Sequence, residues 1–167
     1  KKRSLILQDG IILHYAGYLK RGPRQIILPP IPKKKYRTLI IDPPWPMTKV
    51  FTLRRPNEGY PLDYETWPVE AIRNFPIGKF LNRKSGAHIY LWTPHKYLPA
   101  ALEILKHWQV KYECLLTWVK NTAQGGFRWK YSTEHVIFGH VKSLPLLSIS
   151  QPVHFLGPQR EHSRKPE

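Results

Sequence analysis

Thr38-Leu39-Ile40-Ile41-Asp42-Pro43-Pro44-Trp45 is the stretch on which the reading of this chain turns. Thr38–Ile41 is a continuous β-branched and apolar run, the mark of a strand buried on both faces, and it stops abruptly at Asp42. Two successive prolines have fixed φ, donate no backbone hydrogen bond and push the residue before them into extended geometry. The chain therefore leaves the strand through a stiff, preset turn, and chemistry is expected where the strand stops.

Outward from this point the pattern alternates. Thr66-Trp67-Pro68 offers an N-cap and an early-turn proline ahead of Val69, Ile72 and Phe75, which predicts a short helix over 67–75. His88–Trp92 reads as a second buried strand. Leu98, Leu102, Leu105 and Trp108 predict one apolar helical face over about 97–108. Tyr112–Val119 and Glu134–Gly139 are further strands, whereas Gly125-Gly126 and Lys142–Gln159 read as loops. Strand, helix, strand, helix, strand is the grammar of an α/β sheet with parallel connections, in which ligands bind outside the carboxyl ends of the strands.

The chain has 167 residues, which suits one domain able to bury roughly 68–70% of its unfolded surface. Its 41% hydrophobic and 23% charged residues exclude a disordered chain. No apolar run of 18 residues is present, and the start KKRSLILQDG lacks the features of a signal peptide. The single Cys114 can form no internal disulfide. An intracellular protein without membrane attachment is expected, cytoplasmic or nucleoid-associated in a bacterial or phage setting.

Charge points to the partner. There are 27 Lys and Arg against 11 Asp and Glu, a net +16, and residues 1–37 hold ten of the basic residues against Asp9 alone. Phosphate backbones match this balance. Residues 1–35 read as a basic N-terminal arm, with LILQDGIIL as a hairpin around Asp9-Gly10 and IILPPIPKKK as a proline-stiffened linker. Lys20, Arg21, Arg24, Lys33, Lys34 and Lys35 are its candidate backbone contacts. The alternative is a short strand pair packed on the domain edge with solvated lysines.

The turn Asp42-Pro43-Pro44-Trp45 holds a carboxylate, carbonyl oxygens and an indole in fixed relation. A planar group with an exocyclic NH2 matches that set, its two N–H donors meeting two acceptors and its ring meeting an aromatic face. Adenine fits. This tetrapeptide after a hydrophobic strand resembles the catalytic signature of the MT-A70 family of S-adenosylmethionine-dependent adenine N6-methyltransferases. Tyr64-Glu65-Thr66-Trp67, Leu91-Trp92, Trp118-Val119-Lys120-Asn121, Glu134-His135 and His162-Ser163-Arg164-Lys165-Pro166 follow in the family's order, so the resemblance covers about residues 36–167.

The resemblance implies an α/β, Rossmann-like methyltransferase sheet with flanking helices over 36–167, preceded by the arm. It implies that Asp42 and the Pro43 carbonyl hold the target amino group on a catalytic turn completed by Pro44 and Trp45, with Trp45 walling the base pocket. Asp42 and Lys165 would contact the cofactor, S-adenosylmethionine, and Tyr64, Trp118 and Glu134 would line the adenine pocket. Family members continue past the Lys-Pro segment into a helix, a strand and a glycine-containing loop that bind much of the cofactor. The sequence stops at Glu167, so that C-terminal cofactor-binding segment is expected to be missing from it.

Competing chemistry lacks its marks: there is no G-x-G-x-x-G, Walker A loop, H-E-x-x-H or C-x-x-C, and no metal site is expected. Cys114, inside an apolar strand, reads as inert rather than as the exposed nucleophile of a cytosine-C5 methyltransferase. The compact, basic chain resembles members that modify DNA. Three alternatives stay open: an RNA adenine N6-methyltransferase, a non-catalytic nucleic-acid-binding subunit of the same fold, and an N4-cytosine methyltransferase. An oligomer or a partner subunit is compatible with any of them.

Overall fold

A computed structural model describes residues 10–14, 34–47, 66–125, 129–146, 148–159 and 165–166. Its strands are β1 (Gly10–His14), β2 (Thr38–Asp42), β3 (Ala87–Thr93), β4 (Lys111–Gly125), β5 (Lys130–Val141) and β6 (His154–Gly157), with helices α1 (Val69–Arg73) and α2 (Leu98–His107). All six strands join one sheet in the order β1-β2-β3-β5-β4-β6. β1, β2 and β3 are mutually parallel, and β6 is parallel to β4, but β5 runs antiparallel to both of its neighbours. The expectation of parallel connections throughout is thus corrected. Residues 126–129 are all that separates β4 from β5, and a parallel crossover needs a dozen or more.

The two faces of the sheet differ. Leu39 and Ile41 are 0% and 1% exposed, while Thr38, Ile40 and Asp42 between them are half-buried, so β2 is not sealed on both faces as its composition suggested. Leu39, Ile41, Ile89, Leu91 and Ile137 join the main core with residues of α1 and α2. The opposite face carries a second cluster, Trp92, Trp118 and Val136, flanked by Ile40, Tyr90, Leu116 and Phe155. Asp42 belongs to this second face.

Both helices depart in detail from their expected form. α1 starts at Val69 behind Pro68, without a side-chain cap, rather than behind Thr66. Trp67 N–H is committed to the Pro44 carbonyl at 2.8 Å, which holds residues 66 and 67 outside the helix. On α2 the buried stripe is Ala101, Ile104, Leu105 and Trp108, with Leu102 on the solvent side. The i, i+3, i+4, i+7 spacing from Ala101 meets the sheet, and Leu102 lies one position round the helix from it.

β6 lies within the segment expected to be loop, and Gly125, expected in a loop, pairs with Lys130 at the end of β4. Gly10–His14, inside the 1–35 segment, aligns with Thr38–Asp42 as an edge strand. Gly10–Leu13, the second arm of the hairpin expected around Asp9-Gly10, lies in β1, whereas its first arm and most of the proline-rich linker lie outside the described residues. Among the described residues no helix is long and apolar enough to cross a membrane.

Candidate active site at the carboxyl end of the sheet

β2 delivers Asp42 to the carboxyl edge, and the proline turn is pinned from three directions. Trp45 N–H donates to the Pro43 carbonyl at 2.9 Å, two residues back, and the Pro44 carbonyl takes the Trp67 N–H. The Trp45 indole N–H donates to the Trp92 carbonyl at 2.9 Å, and its ring stacks on Tyr97 at 5.2 Å and 11°. Tyr97 O–H in turn donates to the Pro46 carbonyl. A carbonyl oxygen has two lone pairs, so Pro43 keeps one acceptor position beyond its own turn.

Trp45, expected to wall the base pocket, is 5% exposed and belongs to the main core, where it packs as a wedge under the turn. Trp118, expected in the adenine pocket, is 2% exposed, donates its indole N–H to the Gly157 carbonyl at 2.9 Å and meets Trp92 edge-on at 6.1 Å. It forms the floor of the second face, beneath Lys120. Gly157 is required at that point: a Cβ there would come within 2.9 Å of the Trp118 indole nitrogen and 3.1 Å of Pro166.

Above this floor lies a cluster of charge. Glu134 pairs with Trp118 across β4–β5, and the sheet register brings it to the same face as Asp42 and Trp92. Lys165 Nζ lies 2.9 Å from Glu134 Oε2, 3.5 Å from Asp42 Oδ1 and 4.9 Å above the Trp92 ring. Lys120 Nζ donates to the other Glu134 oxygen and lies 4.8 Å over the Trp118 ring. Two carboxylates and two ammonium groups thus share one partly buried site.

Burial by itself would raise the Glu134 carboxyl, but Lys165 and Lys120 outweigh it and hold that carboxyl below its ordinary value. For Lys165 burial would lower the ammonium, and the opposing charges of Asp42 and Glu134 raise it above its ordinary value. Both groups are therefore charged at neutral pH. Because the folded carboxyl of Glu134 is depressed, its stabilisation is present above the unfolded value and disappears as pH falls through the folded one. Glu134→Gln is accordingly expected to flatten the acid limb of thermal stability below about pH 5, read by thermal melts across that range. An acid limb equal to the parent's would show that Glu134 gains nothing from its two lysines.

Sequence reasoning quoted His135 beside Glu134 but gave no role to the second polar group that it forms at this edge. His135, 8% exposed, approaches His95 Nδ1 at 3.3 Å with Nε2 and Thr117 Oγ1 at 3.2 Å with Nδ1, and His95 Nε2 meets Thr133 Oγ1 at 2.7 Å. Burial first, then the neighbouring His95, lowers the His135 value against the pull of Glu134, which favours the neutral ring. The strand pairing Thr93–His135–Thr117 brings His135 to these partners, which the Glu134-His135 segment by itself does not announce. Cys114 is half-buried and its thiol is raised, by desolvation and then by Glu113, in keeping with an inert residue.

Tyr64, His162, Ser163 and Arg164 lie outside the described residues, as do Lys20, Arg21, Arg24 and Lys33. Lys34 and Lys35 are exposed, with Lys34 Nζ 5.6 Å over the Tyr36 ring.

A carboxylate at the end of an interior strand, fixed by a proline turn beside a lysine that bridges to a second carboxylate, agrees with the comparison of the chain with known families. Residues 36–167 match MT-A70. The chain belongs to the MT-A70 family. Among curated proteins none matches it significantly. MT-A70 methyltransferases use S-adenosylmethionine, whose reactive centre is a sulfonium cation flanked by an amino-acid moiety. The donor set suits such a group: two carboxylates and the Trp92 face already accommodate a cation, Lys165 Nζ, at the carboxyl edge.

Proposed function

We propose that the protein transfers the methyl group of S-adenosylmethionine to the N6 amino group of adenine in DNA. The observation that carries this reading is Asp42 at the end of β2, beside a Pro43 carbonyl fixed by the pinned turn. When bound, S-adenosylmethionine supplies an electrophilic methyl on sulfur, and Asp42 and Lys165 are the residues that would hold it. The chain's own work is on the amine. Its lone pair is shared with the purine ring, so it is a poor nucleophile until the nitrogen becomes more tetrahedral. Asp42 accepts one N–H and the Pro43 carbonyl the other, which favours that geometry and fixes the direction of attack.

The bound donor would supply the methyl group and retain the bonding pair on its sulfur; the work of this chain is to hold the attacking nitrogen. The nitrogen sheds one proton along its hydrogen bond to Asp42. Lys165, through Glu134 and Asp42, keeps two carboxylates side by side without mutual repulsion. In duplex DNA the adenine must be extruded, at a cost of a few kcal/mol. Incubation with labelled donor and matched DNA and RNA oligonucleotides, followed by nucleoside analysis, tests the reading. N6-methyladenine in DNA is expected; N4-methylcytosine, or product in RNA alone, overturns it.

A second reading, a non-catalytic nucleic-acid-binding subunit, draws on one observation: Lys165 already satisfies both carboxylates. It requires nucleic-acid binding with no methylated product from any substrate.

The basic segment supports a polyanionic substrate. Because β1 lies inside residues 1–35, neutralisation tests its role more cleanly than deletion. Replacing Lys20, Arg21, Arg24, Lys33, Lys34 and Lys35 by Gln is expected to flatten the log–log salt slope of DNA binding by about 3–4 units, the value for four phosphate contacts on B-DNA. Affinity should fall alike for all sequences, since phosphate contacts position without specifying. An unchanged slope would place the phosphate contacts elsewhere.

A further inference from the structure

The chain has six tryptophans. Five of them, Trp45, Trp67, Trp92, Trp108 and Trp118, are at most 9% exposed, whereas Trp129 is 74% exposed. An indole in water contributes nothing to the core, so its position asks for another explanation. Two residues on, Tyr131 is 49% exposed. Alternation along β5 places Tyr131 on the face that continues through Thr133 to His135, about 6.8 Å per pair of residues. The His95 ring lies 4.9 Å from Tyr131 and 4.4 Å from His135. Rings therefore run along β5 from His135 at the carboxyl edge to its solvent end, on the sheet face opposite Glu134.

The surroundings are basic. Lys130, between the two exposed rings, is itself exposed, as is Lys96 next to His95. Two exposed aromatic faces two residues apart on a strand, with exposed lysines beside them on a chain of net charge +16, are what neighbouring unpaired bases and their phosphates require. Paired bases in a duplex are stacked on one another and offer no such face.

We propose that Trp129 and Tyr131, with Lys130 and Lys96, form a stacking rail for single-stranded nucleic acid, which extends past the carboxyl edge of the sheet where β2 ends in Asp42. Its place in catalysis rests on the methyltransferase reading; its existence as a binding surface does not. The substrate is then a single strand or a locally opened duplex, and the rail holds nucleotides that flank the target base.

Fluorescence anisotropy with a labelled oligo-dA of about 12 nucleotides and a blunt duplex tests this on the full chain. Trp129→Ala is expected to weaken the single strand roughly ten- to a hundredfold with an unchanged salt slope, because stacking releases no counterions. Tyr131→Ala should act in the same direction, and Trp129→Phe should recover part of the loss. Lys130→Gln should instead lower the slope by about 0.7. Duplex binding should be indifferent to Trp129→Ala.

Single-strand affinity equal to the parent's in both aromatic variants overturns the proposal, as does an equal loss on the duplex. A concentration-dependent dimer dissolved by Trp129→Ala, with oligonucleotide binding intact, overturns it in favour of a protein interface. Absence of methylated product alongside the expected binding losses would refute the methyltransferase reading and leave the rail standing.

Discussion

Asp42→Ala lowers the rate of methyl transfer by about 10²–10³-fold, the loss seen when one acceptor or donor is removed from a preorganised polar site. Single-turnover rates at saturating nucleic acid are the measurement, because they separate the chemical step from binding. Affinity should change little, since it comes from lysines and arginines remote from Asp42. The fold should persist as well. Asp42 is the half-buried end residue of β2, on the face opposite the Leu39–Ile41 core, and Lys165 keeps Glu134 as a partner at 2.9 Å when Asp42 is gone. Asp42→Asn sharpens the test, because it keeps the shape while turning one acceptor oxygen into a donor that faces the amine's own N–H groups. Full activity in either purified variant would end the assignment of Asp42 as the group that holds the amine.

What could be read from the sequence was what short-range chemistry dictates. A strand ending in Asp-Pro-Pro is legible because proline geometry is local, and Asp42 stands at the end of β2 as that reading requires. The strand sequence itself was misjudged: Ile40 looks as apolar as Leu39, yet only the sheet's packing decides which face is sealed by helices. The antiparallel course of β5 was not legible, because the expected strands Tyr112–Val119 and Glu134–Gly139 left residues 120–133 between them and only the longer β4 and β5 close that gap. β6 gave no signal at all, being four residues long with Leu156 80% exposed. The pairing of Lys165 with Glu134, 31 residues apart, goes with the close approach of both Pro166 and the Trp118 indole to Gly157 on β6, a relation no spacing encodes. Trp45 was ambiguous for the opposite reason: an indole beside such a turn has the right chemistry for a pocket wall and for a wedge, and its burial, which favours the wedge, depends on tertiary packing.

Trp45→Ala is therefore expected to act on stability before it acts on substrate. Truncating a buried tryptophan costs about 3–5 kcal/mol, and here the loss includes the indole hydrogen bond to the Trp92 carbonyl and the stack on Tyr97. At roughly 2–4 °C per kcal/mol for a domain of this size, the melting temperature should fall by about 6–20 °C. Trp45→Phe keeps a ring against Tyr97 but leaves the Trp92 carbonyl without its donor, so it should lose less. Below the melting transition, substrate KM should move little, because the buried ring offers no face to a base. The transfer rate should decline only as far as the Pro43–Pro44 turn loosens, and by less than in Asp42→Ala. A variant that melts normally but binds adenine-containing substrate ten- to a hundredfold more weakly, the loss of one base stack, would require the indole to swing out from under Tyr97 when substrate arrives. Melting temperature and KM, measured on the same preparation, decide between wedge and wall.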